Sequence, residues 1–297
     1  MVRQKNPSRQ APPACRPRSL AEALEMRRRW RVLPFAGGTD LMAARRRGPG
    51  LIPDLPAPPL FLGHLKELKG LRREPGSLVI GAACTLTELL EHPDVPVELK
   101  AALAEMASPA LRNVATLGGN ICNASPAGDT LPFLYAADAE LELANADQSR
   151  RLPVTEFILG PGGTALGDDE LLTAIIIPEL SWDTWFYRKV GTRRANALSK
   201  LSFLGLARRD EAGGIADFRC AFGAVGPTVV RPAGLEEQVR GLSPGRIEAL
   251  LPALRRKCEA MLEPIDDQRS TAFYRASVAA ALLVHFLQIL AATEASS

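Results

Sequence analysis

The chain has 297 residues, 46% hydrophobic and 23% charged, a length that accommodates two compact units of about 100–200 residues each. This composition excludes collagen-like, coiled-coil and globally disordered chains, and with aromatics at only 5% the core has to come from Leu, Ala, Val and Ile. The net charge of +3 is unevenly spread, residues 1–47 carrying +9 and the remainder −6, yet the basic end lacks the aromatic platform or motif of a nucleic-acid binder and reads as a solvated face.

Residues 1–17, with Pro7, Pro12, Pro13 and Pro17, read as a flexible basic tail, because those prolines oppose the amphipathic helix of a transit peptide. Ser19 followed by Glu22 predicts a capping box that opens a helix to Arg29. Residues 32–36 predict a short strand running into Gly37-Gly38, residues 49–59 a proline-rich connection, and residues 78–83 a second strand. A helix is expected to start at Thr85-Leu-Thr-Glu88, and residues 99–106 have helical spacing. Residues 108–129 are turn-rich and nearly free of charge. Residues 131–143 pass from a helical to a strand-like pattern, loops follow at 161–163 and 167–169, and Ile175-Ile-Ile177 is a β-branched strand closed by Pro178. The Asp168-Asp-Glu170 run reads as a solvated acidic turn.

A domain boundary is expected at residues 178–184. Beyond it residues 185–190, 198–208 and 218–225 predict strands, and residues 243–261 and 271–290 two helices. The order is α+β without regular βαβ alternation, which disfavours a doubly wound sheet. Neither glycine cluster fits GxGxxG, so a Rossmann domain is disfavoured too. The most apolar stretch, residues 278–292, holds His285 and Gln288 in 15 residues, too short for a bilayer and suited to a buried helix with a core histidine.

The five cysteines lie no closer than 38 residues apart, so no zinc or ferredoxin pattern exists. Their odd number without a secretion signal favours reduced thiols in a cytoplasmic setting. Cys122 reads as a small, partly buried residue. His64, His92 and His285 are too scattered for a metal site, and no nucleophilic or paired-carboxylate constellation stands out.

The polar chemistry gathers in two glycine clusters. In Ala36-Gly37-Gly38-Thr39-Asp40-Leu41 a strand runs into two glycines, which suits a nest of backbone amides for a phosphate and equally a plain turn between strand and helix. Asp40, awkward beside an anion, is expected to turn away and bond the loop. In the second cluster Thr116, Gly119, Asn120, Asn123, Ser125 and Asp129 lie within 14 residues, as suits a cradle for a polyhydroxylated ligand or a self-satisfied loop of Asx-turns.

These stretches, Ala36-Gly-Gly-Thr-Asp-Leu-Met42, Leu111-Arg-Asn-Val-Ala-Thr-Leu-Gly-Gly-Asn120 and Asn123-Ala-Ser-Pro-Ala-Gly-Asp129, closely resemble the FAD-binding subunit of the molybdenum hydroxylases. That family includes xanthine dehydrogenase and carbon monoxide dehydrogenase. Tyr187-Arg-Lys-Val-Gly-Thr-Arg-Arg-Ala-Asn196 and Ala272-Phe-Tyr-Arg275 resemble the start and end of its C-terminal domain, so the likeness covers roughly residues 18–292. It implies a two-lobed PCMH-type FAD-binding domain at residues 18–180 and a smaller α/β domain of sheet and helices at 181–293. It also implies non-covalent FAD, its pyrophosphate held by the amides of Ala36 to Leu41. Thr116, Gly119, Asn120 and Asn123 would line the other side, with Ser125 near it and Asp129 matching the acid that contacts the cofactor. Lys189 and Lys200 are candidates for the flavin N1–C2 edge, and Arg45-Arg-Arg47 for the pyrophosphate field or a partner, though each also suits a solvated surface. Molybdopterin and [2Fe–2S] clusters are expected only on partner subunits, a large and a small one, with NAD⁺ or another final acceptor. A stand-alone FAD-dependent oxidoreductase and a non-catalytic assembly subunit are the alternatives.

Overall fold

Ser19 opens the first helix as its sequence predicts: its Oγ accepts the Glu22 amide at 3.2 Å. The reciprocal half of the box differs, because the Glu22 carboxylate accepts the Arg18 amide at 2.6 Å. The structure, a computed structural model, describes residues 13–193 and 196–292. Residues 1–12 of the expected tail, Arg194 and Ala195 of the 187–196 motif, and the chain beyond 292 lie outside the described residues.

In chain order the elements begin with α1 (Leu20–Arg29), β1 (Leu33–Phe35), α2 (Thr39–Ala44), β2 (Pro59–Phe61), β3 (Leu71–Glu74), β4 (Ser77–Gly81) and α3 (Leu86–Glu91). There follow α4 (Val97–Ala104), α5 (Pro109–Arg112), α6 (Leu117–Asn123), α7 (Leu131–Ala136), β5 (Glu140–Ala144), β6 (Ser149–Pro153), α8 (Val154–Phe157), β7 (Ile158–Gly160) and β8 (Gly163–Thr164). The chain continues through β9 (Leu171–Pro178), β10 (Thr184–Gly191), β11 (Ser199–Arg209), β12 (Ile215–Gly223), α9 (Ala233–Val239), α10 (Pro244–Ala260) and α11 (Ala272–Ala292). Helix and sheet are mixed as expected. The helix α6, inside a stretch read as turns, is the main departure.

Contacts divide the chain into two units: the described residues of 1–94, 108–124 and 139–178, and those of 95–107, 125–138 and 179–297. Helices α4 and α7 thus belong to the second unit although they precede residue 178. The first unit holds an antiparallel sheet ordered β3-β4-β9-β5-β6 and a parallel pair, β1 with β2. Strand β9 is central and buried along almost its whole length, which is why it reads as a continuous β-branched run rather than an alternation. Helix α3 is opened by a full capping box between Thr85 and Glu88.

The second unit is built on the antiparallel sheet β10-β11-β12. One face carries Leu201, Phe203, Phe218 and Phe222, which join Leu283, Phe286 and Leu287 of α11 in one buried cluster. The Phe286 ring sits 5.8 Å from Phe218 and 6.2 Å from Phe203, and an added Cβ at Gly205 would fall 2.3 Å from it. By length and composition α11 could cross a membrane, being 21 residues long, but Leu283, Phe286, Leu287 and Leu290 are wholly buried in this core. His285 is not the core histidine expected: it lies on the exposed side of α11, edge-on to Phe186 at 5.1 Å. The acidic turn also differs, since Glu170 is buried and held by Arg150 at 2.7 and 2.8 Å. This pairing keeps its carboxyl below the usual range.

Candidate functional site

The first glycine cluster is shaped by two different constraints. Gly38 has φ +70° and caps α2, a left-handed conformation that costs an L-residue about 1–2 kcal/mol. Gly37 is fixed by proximity, since an added Cβ would lie 2.1 Å from the Val114 carbonyl oxygen. Because the cap residue is a glycine, no side chain bonds the first turn of α2, and the amides of Thr39, Asp40 and Leu41 have no acceptor within the helix. Asp40 is exposed and, among the described residues, makes no hydrogen bond to the loop, so its expected return to the loop is not formed. Arg45, Arg46 and Arg47 follow as an exposed run.

The second cluster is a helix where turns were expected. The Thr116 Oγ accepts the Gly119 amide at 3.1 Å and so starts α6. Leu117, Gly118 and Ile121 form the buried side, with Gly118 close against Ala82, whose carbonyl oxygen would meet an added Cβ at 2.6 Å. Gly119 and Asn123 are exposed on the other side and Asn120 is half-buried. At Gly119 an added Cβ meets only the Thr116 hydroxyl, at 2.8 Å. The reading of this cluster as Asx-turns is therefore replaced by a short capped helix, ended by Ala124 at φ +46°.

Backbone bonds tie the second cluster to the segment that opens α3. The Leu86 amide donates to the Ala115 carbonyl at 2.9 Å and the Leu117 amide to Cys84 at 3.1 Å, while Thr85 and Thr116 form an antiparallel bridge. A cavity of about 230 Å³ has Ala36 and Gly37 on its lining and Thr85, Asn113, Thr116 and Lys69 among its other walls; the Lys69 ammonium pairs with Glu88 at 3.4 Å. Of the expected residues it brings together Ala36, Gly37 and Thr116; Gly38, Thr39, Asp40, Leu41, Gly119, Asn120 and Asn123 lie in the same unit outside its lining. Lys69, Thr85 and Asn113 were not singled out by sequence. Thr85 carried a signal as a helix cap and Asn113 as part of the Leu111–Asn120 motif, whereas nothing local marks Lys69. A larger cavity of about 450 Å³ lies beside Cys84, Glu88 and His92 and holds none of the expected residues. Among the described residues no metal-ligating cluster occurs.

Ser125 and Asp129 belong to the second unit. Ser125 Oγ accepts the Ala127 amide at 3.3 Å and its carbonyl accepts the Gly128 amide at 2.9 Å, a tight turn. Asp129 is 6% exposed; Lys189 Nζ donates to its Oδ2 at 2.7 Å and Ser199 Oγ to its Oδ1 at 2.5 Å. Burial raises its carboxyl above the usual range against the pull of Lys189 and Ser199. Lys189 also donates to the Glu105 carbonyl at 3.1 Å. Lys200 lies over the Tyr274 ring at 5.4 Å and, among the described residues, has no carboxylate partner. All five cysteines are free, and burial pushes the Cys122 thiol up to about 12.

The cradle passes a simple test of fit for a dinucleotide. It combines a glycine approach that a Cβ would block with threonine and asparagine groups and the Lys69 ammonium, which are donors suited to a diphosphate. Its volume suits one part of such a ligand rather than the whole.

Comparison with known proteins agrees. Residues 9–180 match the model of the FAD binding domain in molybdopterin dehydrogenase, and residues 185–290 that of the CO dehydrogenase flavoprotein C-terminal domain. A putative xanthine dehydrogenase FAD-binding subunit of Escherichia coli is 37% identical over 205 residues, 66% of this chain and 68% of that one. The nicotinate dehydrogenase FAD-subunit of Eubacterium barkeri is 30% identical over 254 residues, 80% of this chain and 83% of that one. Among solved structures, a chain of the carbon monoxide dehydrogenase of Hydrogenophaga pseudoflava superposes with a TM-score of 0.83 at 26% identity, covering 92% of this chain and 95% of that one.

Proposed function

The chain belongs to the FAD-binding medium subunits of the xanthine and carbon monoxide dehydrogenase type of molybdenum hydroxylase, and from that membership we propose that it is the electron-transfer subunit of such a complex, acting in the cytoplasm. It takes electrons from [2Fe–2S] clusters of a small partner subunit, which are in turn supplied by a large molybdopterin subunit, and delivers them to NAD⁺ or another acceptor. When bound, FAD supplies the chemistry that lets single electrons from clusters leave as a pair. The observation that carries this reading is the joining of the Ala36–Gly37 turn and Thr116 around one polar cavity.

In this reading the amides of Ala36, Gly37, Gly38, Thr39, Asp40 and Leu41 hold the pyrophosphate. Thr116, Gly119, Asn120 and Asn123 line the cofactor on the side of α6, and Ser125 lies near it. Lys189 is occupied by Asp129, so Lys200 is the lysine left for the flavin N1–C2 edge, where a cation stabilises the reduced anionic ring. The domain limits are proposed as 18–180 and 181–293.

Gly119→Val tests the cradle. Because Gly119 is exposed and its Cβ position meets only the Thr116 hydroxyl that caps α6, the variant is expected to fold with a loss of about 0.5–2 kcal/mol from the disturbed cap while losing bound flavin. Flavin content equal to wild type, measured after gel filtration, would place the cofactor elsewhere.

A further inference from the structure

Between Val32 and Leu60 no residue is buried, so this stretch is held by its backbone rather than by a core. Its ends are joined by the parallel pair β1 and β2, Leu33 lying opposite Pro59. In its middle the Asp54 amide donates to the Arg45 carbonyl at 3.1 Å and the Leu51 amide to the Gly48 carbonyl at 3.4 Å. Residues 45–54 therefore fold back on themselves as a small closed loop, which Pro49 and Pro53 restrict further. Arg45, Arg46 and Arg47 are exposed and, among the described residues, make no ion pair. Leu51 and Ile52 stand on the same loop, 61% and 85% exposed. The pyrophosphate of the proposed function accounts for residues 36–41 and for none of these side chains.

Two adjacent apolar side chains beside three guanidinium groups, on a loop with little ordering entropy left to lose, have the make-up of an interface anchor. The charge decides what it anchors. A second copy of this chain, meeting the loop across a two-fold axis, would set arginine against arginine. Residues 1–12 hold Arg3, Lys5 and Arg9 and no acid, so they repel the loop as well. A lipid surface calls for about four to eight basic residues or a long amphipathic helix, and the loop has neither. Carboxylates match the guanidinium forks in shape and sign, and an apolar recess between them would take the two aliphatic side chains. We propose that the 45–54 loop anchors a partner subunit of the complex, through an acidic surface of that subunit with an apolar recess for Leu51 and Ile52. This rests on the proposed function, which supplies the complex. The loop is smaller than the roughly 20–30 residues a side of a stable interface, so it forms the anchor rather than the whole contact.

The test follows amide hydrogen exchange in the full chain, FAD-loaded and alone, and in the complex co-expressed with its molybdopterin and [2Fe–2S] subunits. The amides of Arg46, Arg47 and Ile52 are expected to exchange about ten-fold more slowly or less in the complex; equal exchange in the two states overturns the inference. Variants add a second reading. The double change Leu51→Ser with Ile52→Ser is expected to keep the flavin content and melting temperature of wild type, because both side chains are exposed, and to weaken retention in the complex about ten-fold or more. The double change Arg46→Glu with Arg47→Glu is expected to weaken retention as strongly and to remove most of the salt dependence that wild type shows. Retention equal to wild type in both variants overturns the inference. So does a dimer of the chain alone that the Leu51→Ser, Ile52→Ser change disrupts, which would identify a second copy. Binding of the chain to phosphatidylserine vesicles that is lost in the same variant would identify a lipid surface and overturns it too. A wild-type chain that joins no such complex contradicts the proposed function instead, so the two failures are distinguishable.

Discussion

Gly37→Ala is expected to abolish FAD retention and to lower stability by about 1–3 kcal/mol, the usual range for forced overpacking. The new methyl would sit 2.1 Å from the Val114 carbonyl oxygen, 2.8 Å from its carbon and 3.0 Å from the Ala115 Cα. All three are backbone atoms, so no side-chain rotation relieves the clash. The opposing backbone is itself tied down, Ala115 donating to Leu111 at 2.8 Å and accepting from Leu86 at 2.9 Å. The relief available is to part the 36–38 turn from the 113–116 stretch, and that opens the cavity these segments share. Flavin content after gel filtration, together with the melting temperature, checks this. A variant that retains its full flavin would show that the close approach at Gly37 is not needed for binding.

Lys189→Met is expected to cost about 3–5 kcal/mol of stability at neutral pH, because it leaves a buried carboxylate without its partner. The sign of its pH dependence follows from the Asp129 carboxyl. Burial already holds that group above its usual range, and Lys189 is what pulls it down; without the ammonium it rises further. A group whose folded pKa exceeds its unfolded value, about 3.9 for Asp, favours the folded state most at low pH and loses that contribution as pH rises through the folded pKa. The deficit of Lys189→Met relative to wild type should therefore be smallest below about pH 4 and grow as pH rises. Chemical denaturation at several pH values measures it. A deficit independent of pH would mean that Asp129 is not the group left unpaired.

Much of the architecture was legible because it rests on local patterns. The β-branched Ile175-Ile-Ile177 run falls in the second half of β9, and the last two helices, α10 and α11, are long enough for their spacing to outweigh noise. What escaped depends on partners distant in sequence. Gly118, Gly119 and Asn120 have low helix propensity, so the 108–129 stretch reads as turns. Burial of Leu117, Gly118 and Ile121, with Gly118 against Ala82, overrides that preference. Strands β3 (Leu-Arg-Arg-Glu) and β6 (Ser-Arg-Arg-Leu-Pro) are polar sheet edges and carry little alternation to detect. Helix α9 follows Pro232 and buries Glu236, which accepts the Cys220 amide at 2.9 Å.

The candidate site divides along the same line. Ala36, Gly37 and Thr116 lie in motifs dense enough to be found locally, and the structure puts all three on one cavity. Lys69 reaches that cavity only through the fold. Likewise the union of Asp129 with Lys189, 60 residues later in the chain, has no local signature. A lysine in a strand pattern reads as a solvated side chain, and only the structure shows it buried against a carboxylate.

The most direct measurement of the central claim is the visible absorption spectrum of the purified chain, with the chromophore identified after release by heat. The account predicts flavin bands at about 370 and 450 nm, with FAD rather than FMN recovered in the supernatant. A colourless chain that also fails to take up added FAD would contradict it.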